Sequence, residues 1–195
     1  MTQPGDRAPA PGALTLVQDF ANTADLAGGH DSLGAAGDLV ALCAAHGLTD
    51  VCFDETDIGE ARRLREALRD VCEAHTGVEV PATSLAVLGA MLDGAPLTLS
   101  IDAAGQASAV RRPGLTGLSA LTAELAARIV AAAADRTWPR LKACGAHDCR
   151  WVYYDHSPAG RSRWCTMSIC GSRAKMRAYR GRGRPINASV VPTRH

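Results

Sequence analysis

Residues 144–184 read CGAHDCRWVYYDHSPAGRSRWCTMSICGSRAKMRAYRGRGR, and this stretch decides how the chain is organised. It holds four of the seven cysteines as two matched pairs, Cys144-x4-Cys149 and Cys165-x4-Cys170, with fifteen residues between the pairs. A tetrahedral zinc ion takes four such ligands at about 2.3 Å. A short loop lets the two thiolates of a pair point at one ion, and the longer excursion returns the second pair to it. The N-terminus lacks a charged-then-apolar leader, and no apolar run reaches the roughly 20 residues that span a bilayer. The expected setting is therefore cytoplasmic, with no membrane partner. Thiols stay reduced there, so paired cysteines point to metal rather than to disulfides.

Four thiolates close the coordination shell, whereas catalytic zinc keeps a position open for water. The expectation is one structural Zn2+ held by Cys144, Cys149, Cys165 and Cys170, and no enzyme, since no nucleophile–base pair stands out. His147 and His156 are alternative ligands, but the all-cysteine set uses both pairs whole. Cys43, Cys52 and Cys72 have no paired spacing and are read as core residues. Between the pairs, RWVYYD reads as a strand and HSPAGRSR as a chain reversal. Trp151, Tyr153, Tyr154 and Trp164 cluster here in a chain with only 4% aromatics, which suits a miniature core around the ion.

Charge divides the chain. Residues 1–135 carry 8 Lys and Arg against 18 Asp and Glu, and residues 136–195 carry 13 against 2. The net charge of +1 thus hides an acidic front and a basic end. Arg173, Arg177 and Arg180 recur at helical spacing, with Lys175, Arg182 and Arg184 nearby and Arg161 and Arg163 before the second cysteine pair. Like charges crowded on one helix repel, and closely spaced phosphates relieve that repulsion. These eight residues are the candidates for nucleic-acid contact.

The front reads as mostly helical. The segment 57–77 carries an apolar stripe of Ile58, Ala61, Leu64, Leu68, Val71 and Cys72, with Thr56 or Asp57 as cap and Gly77 as stop. Helices are also expected around 33–46, 82–93 and 117–135. LTLVQDFANT, residues 14–23, fits helix or strand. Leu97, Leu99 and Ile101 alternate with polar residues before a turn at AAGQ, which predicts a β-hairpin. The fold class is α+β: a mostly helical domain over 13–136 with a small hairpin, then a four-cysteine zinc-finger module over 140–184 ending in a basic helix. Residues 1–12 and 185–195 are expected as flexible tails.

The cysteine stretch resembles the CGNR zinc finger, with Cys170-Gly171-Ser172-Arg173 at the tetrapeptide that gives the finger its name and serine in place of asparagine. LVQDFANT is similar to the opening of the ABATE domain that precedes such fingers. The resemblance implies a bacterial transcription regulator of the stress response, a DNA-binding finger, and a front domain that senses a small molecule. Asp19, Asn22 and Thr23 are then candidate pocket residues. Alternatives are a small-molecule sensor whose zinc module mediates protein contacts or homodimerisation, and RNA binding by the basic surface.

Overall fold

The computed structural model of the protein describes residues 7–182. The chain enters with helix α1, Leu14–Ala21, which buries Leu14, Leu16, Val17, Gln18, Phe20 and Ala21. At eight residues the helix is too short for its apolar spacing to exclude a strand. The glycine-rich loop that follows contains a two-stranded ribbon of β1, Ala24–Asp25, and β2, His30–Asp31. Strands of two residues have no alternation to detect. Helix α2, Ala36–Ala45, starts where the Asp38 carboxylate accepts the N–H groups of Gly34 and Ala35, both at 2.8 Å. It stops at Gly47, whose φ of 79° needs the left-handed region.

Helix α3, Asp57–Ala74, is the main organiser. Its stripe packs as the spacing predicts, but its cap is neither Thr56 nor Asp57. The Asp54 carboxylate takes the N–H groups of Thr56 and Asp57 at 2.8 and 3.2 Å. Helix α4, Ala82–Asp93, follows Pro81, and strands β3, Leu97–Ile101, and β4, Ala107–Arg111, form the antiparallel hairpin. Helix α5, Gly117–Ala134, has 18 residues and is long and apolar enough, by length and composition, to cross a membrane. Alanine makes most of it apolar, but Glu124 and Arg128 interrupt the run. In this fold it packs against α1, α3, α4 and the hairpin.

A short 3-10 turn, Trp138–Arg140, leads into β5, Leu141–Ala143, which pairs with β6, Val152–Tyr154. A π-helical turn, Met167–Gly171, then runs into α6, Ser172–Arg182. The β5–β6 ribbon has two working faces, because side chains alternate along a strand. Leu141, Ala143, Val152 and Tyr154 join the main core with Leu14, Phe20, Leu64, Leu68 and Leu121. Lys142 and Tyr153 face the other way, into the finger.

Residues 7–12 are not the loose tail that their Pro and Gly content suggests. Ala10 is buried and gives its N–H to Gln18 Oε1 at 2.7 Å. Arg7 lies over the Tyr153 ring at 4.5 Å and donates to the carbonyls of Cys165, Tyr154 and Trp164 and to Ser162 Oγ. Five donors in one planar group explain how a single arginine holds the segment down. The tail expected at 185–195 lies outside the described residues, as does Arg184.

Candidate metal centre

The Sγ atoms of Cys144, Cys149, Cys165 and Cys170 all lie within 4.8 Å of one another. Cys165 Sγ is 3.6 Å from both Cys149 Sγ and Cys170 Sγ. A tetrahedron of sulfurs about 2.3 Å from a central ion has edges of about 3.8 Å, so the cluster has the size that zinc requires. Local structure produces this. Cys144 leaves β5 with its N–H on Trp151 O at 2.9 Å, and the Cys149 N–H closes the knuckle on Ala146 O at 2.9 Å. Arg150 takes a positive φ of 49° and turns the chain into β6. Of the second pair, Cys165 lies two residues before the π-helical turn and Cys170 within it, and the Gly145 N–H bonds Arg163 O at 3.0 Å to tie the halves together.

The chemistry of the donor set also asks for a cation. Hydrogen bonds from Cys149 and Cys165 hold the Cys144 thiol far down, at about 2. Donating to that sulfur pushes Cys149 up to about 12, and Cys165 is raised by the same neighbours. Burial raises Cys170. Four crowded sulfurs thus cannot all ionise alone, and a dication lets them do so. Backbone N–H groups of Ala146 and Cys165 bond Cys144, and that of Trp151 bonds Cys149, as thiolates require. These residues fit one structural Zn2+. His147 and His156 are exposed and outside the cluster. Tyr153, Trp151 and Trp164 form the small core around it.

The other cysteines divide. Cys43 and Cys72 are buried, and burial pushes their thiols up to about 11 and about 12. Cys52 is exposed, contrary to the core reading, because it lies in the irregular segment before α3.

A strap, residues 155–164, carries Arg161 and Arg163, both exposed. It is anchored by a buried ion pair between Lys142 Nζ and Asp155 Oδ2 at 2.9 Å, with Asp155 0% exposed. Asp155 also accepts the Ser157 hydroxyl at 2.7 Å and the Ser162 N–H at 2.8 Å, while Lys142 donates to Gly160 O at 2.5 Å. Burial alone would raise the Asp155 carboxyl. The Ser157 hydroxyl, the Lys142 ammonium and the backbone donors outweigh it and hold the group well below the usual range.

The exposed side of α6 carries Arg173, Lys175, Arg177 and Arg180. Of these, Arg177 alone has an acidic partner among the described residues, Asp148 at 3.8 Å. Arg182 ends the helix. Arg150 does something else: it docks the knuckle on the acidic flank of α3, pairing with Asp70, with Glu73 at 3.4 Å and with Glu66 at 3.8 Å.

Asp19, Asn22 and Thr23, the candidate pocket residues, each have a partner inside the fold. Asn22 exchanges both of its amide hydrogen bonds with Val152, donating to O at 2.7 Å and accepting from N at 2.8 Å. Gln18, one helical turn earlier, donates to the same carbonyl at 3.2 Å. The two amides therefore serve β6 as a third strand would. Thr23 donates to Phe20 O at 2.8 Å and accepts from Arg65, and Asp19 lies 3.1 Å from His46 Nε2.

Residues 14–143 match the ABATE family, described as "Putative stress-induced transcription regulator", and residues 140–183 match the CGNR zinc finger. No curated protein matches the chain.

Proposed function

The chain belongs to the ABATE family, with a CGNR zinc finger behind the family domain, and from that premise we propose that it regulates transcription by binding DNA through α6. The observation that carries this is the cation row. Arg173, Arg177 and Arg180 line one shallow groove of α6 together with Ser168 and Ser172. Repulsion within such a row is relieved by phosphates, and displaced counterions then drive association. Zinc supplies structure here: it fixes the π-helical turn from which α6 starts. Arg161, Arg163 and Lys175 extend the basic surface, and Arg182 and Arg184 continue it in sequence.

Binding of the zinc-loaded protein to random duplexes, followed by anisotropy across a salt series, tests this reading. Four phosphate contacts give a slope of log affinity against log salt of about −3 to −4. Arg173→Gln and Arg180→Gln each flatten it by about 1. A flat salt response in the wild type overturns the proposal.

A further inference from the structure

A cavity of about 340 Å³ opens beside the metal centre, where the β1–β2 ribbon of the front domain meets the finger. Cys149, Cys165 and Cys170 form part of its wall, Trp151 and Ile169 add apolar surface, and Asp25 and Ala27 close it from the ribbon. Two donors face it. Thr166 precedes the π-helical turn, where a hydroxyl ordinarily caps the first N–H groups. Here it caps nothing: the residue is 8% exposed, and its Oγ1 is buried without a hydrogen-bond partner. Buried hydroxyls are rarely left so. The second donor is Arg173, in the first turn of α6 and without an ion pair among the described residues.

We propose that this cavity binds a small aromatic carboxylic acid. The ring lies against Trp151 and Ile169, the Arg173 guanidinium takes the carboxylate, and the Thr166 hydroxyl supplies a further hydrogen bond. Asp25 and the cysteine thiolates make the rest of the wall negative, so the acid's head depends on Arg173, the one cation that lines the cavity among the described residues. If the DNA reading holds, the acid and a phosphate compete for Arg173, and each weakens the other by the same factor.

The test titrates zinc-loaded, full-length protein with benzoate, salicylate and phenylacetate, and with benzamide and benzylamine as neutral and cationic counterparts. Tryptophan fluorescence and calorimetry report binding. At least one acid should saturate, with the amide and amine weaker by about tenfold or more. Thr166→Val and Arg173→Gln should each weaken that acid by about tenfold while zinc content stays at one per chain. No saturation by any acid up to ~10 mM, or equal binding of the amine, overturns the proposal. Duplex binding is read separately. A saturating acid should lower the wild type's duplex affinity several-fold and, at the same concentration, lower that of Thr166→Val less. A protein that takes the acid but never binds a duplex refutes the DNA reading and leaves the cavity assignment standing.

Discussion

Asp155 shows how much one side chain carries. Its carboxylate faces Lys142 with no exposure to water and gathers Ser157 and Ser162 around it. Replacing it by Asn leaves the ammonium buried without a counter-charge, which costs about 3–5 kcal/mol in urea unfolding of the zinc-loaded protein. Because the folded carboxyl is held down, its contribution is full above the unfolded value near 3.9 and fades only as pH falls further. His75 has the opposite sensitivity. Burial lowers it, and its Nδ1 donates to Leu141 O at 2.6 Å. The neutral ring is favoured in the fold, so stability is retained above the unfolded value of about 6.5 and drops as pH falls below it. His75→Gln should flatten the wild type's loss of stability between about pH 6.5 and 5. At this scale the sequence was partly legible. Four cysteines show their purpose by spacing, whereas Asn22 and Arg7 meet partners about 130 to 158 residues away, which no local pattern encodes.

The elements divide by how local their causes are. Helix α3 is set by its own stripe, and the β3–β4 hairpin by alternation and by a turn in which Asp102 Oδ1 accepts the N–H groups of Ala104 and Gln106. The π-helical turn is set by coordination: Cys165 precedes it, Cys170 lies within it, and a bound metal would draw both to one point. Removal of zinc should therefore melt this turn and α6 first, seen as loss of the near-ultraviolet signals of Trp151 and Trp164, which pack on the cluster. Cys165→Ser should lose the metal, whereas Cys52→Ser, on an exposed segment, should retain one zinc per chain. A Cys165→Ser protein that keeps full zinc content contradicts the assignment. The elements the sequence did not disclose, α1 as a helix and β1–β2 as strands, are the short ones: eight residues leave the spacing of α1 ambiguous, and β1–β2 is too short to show a period.

At the scale of the molecule, the finger is joined to the front domain through a common core. One face of β5–β6 supplies Leu141, Ala143, Val152 and Tyr154 to the cluster built on α1, α3 and α5. Gln18 and Asn22 bond its edge, and Arg150 clamps it to α3. Each large buried side chain of this kind contributes about 1.5–3 kcal/mol, so Leu141, Val152 and Tyr154 together rival the 5–15 kcal/mol by which a domain of this kind is stable. Zinc binding therefore stabilises more than the residues that hold the ion. Chelation should raise hydrogen exchange not only over residues 140–182 but also in α1 and the C-terminal half of α3, whose apolar faces the ribbon covers. Arg150→Gln should move the same α3 amides part of the way while zinc stays bound, because it loosens the clamp and leaves the sulfurs in place. Exchange confined to residues 140–182 after chelation would mean that the front domain stands without its ribbon, and the coupling of metal, ribbon and front domain would then be absent.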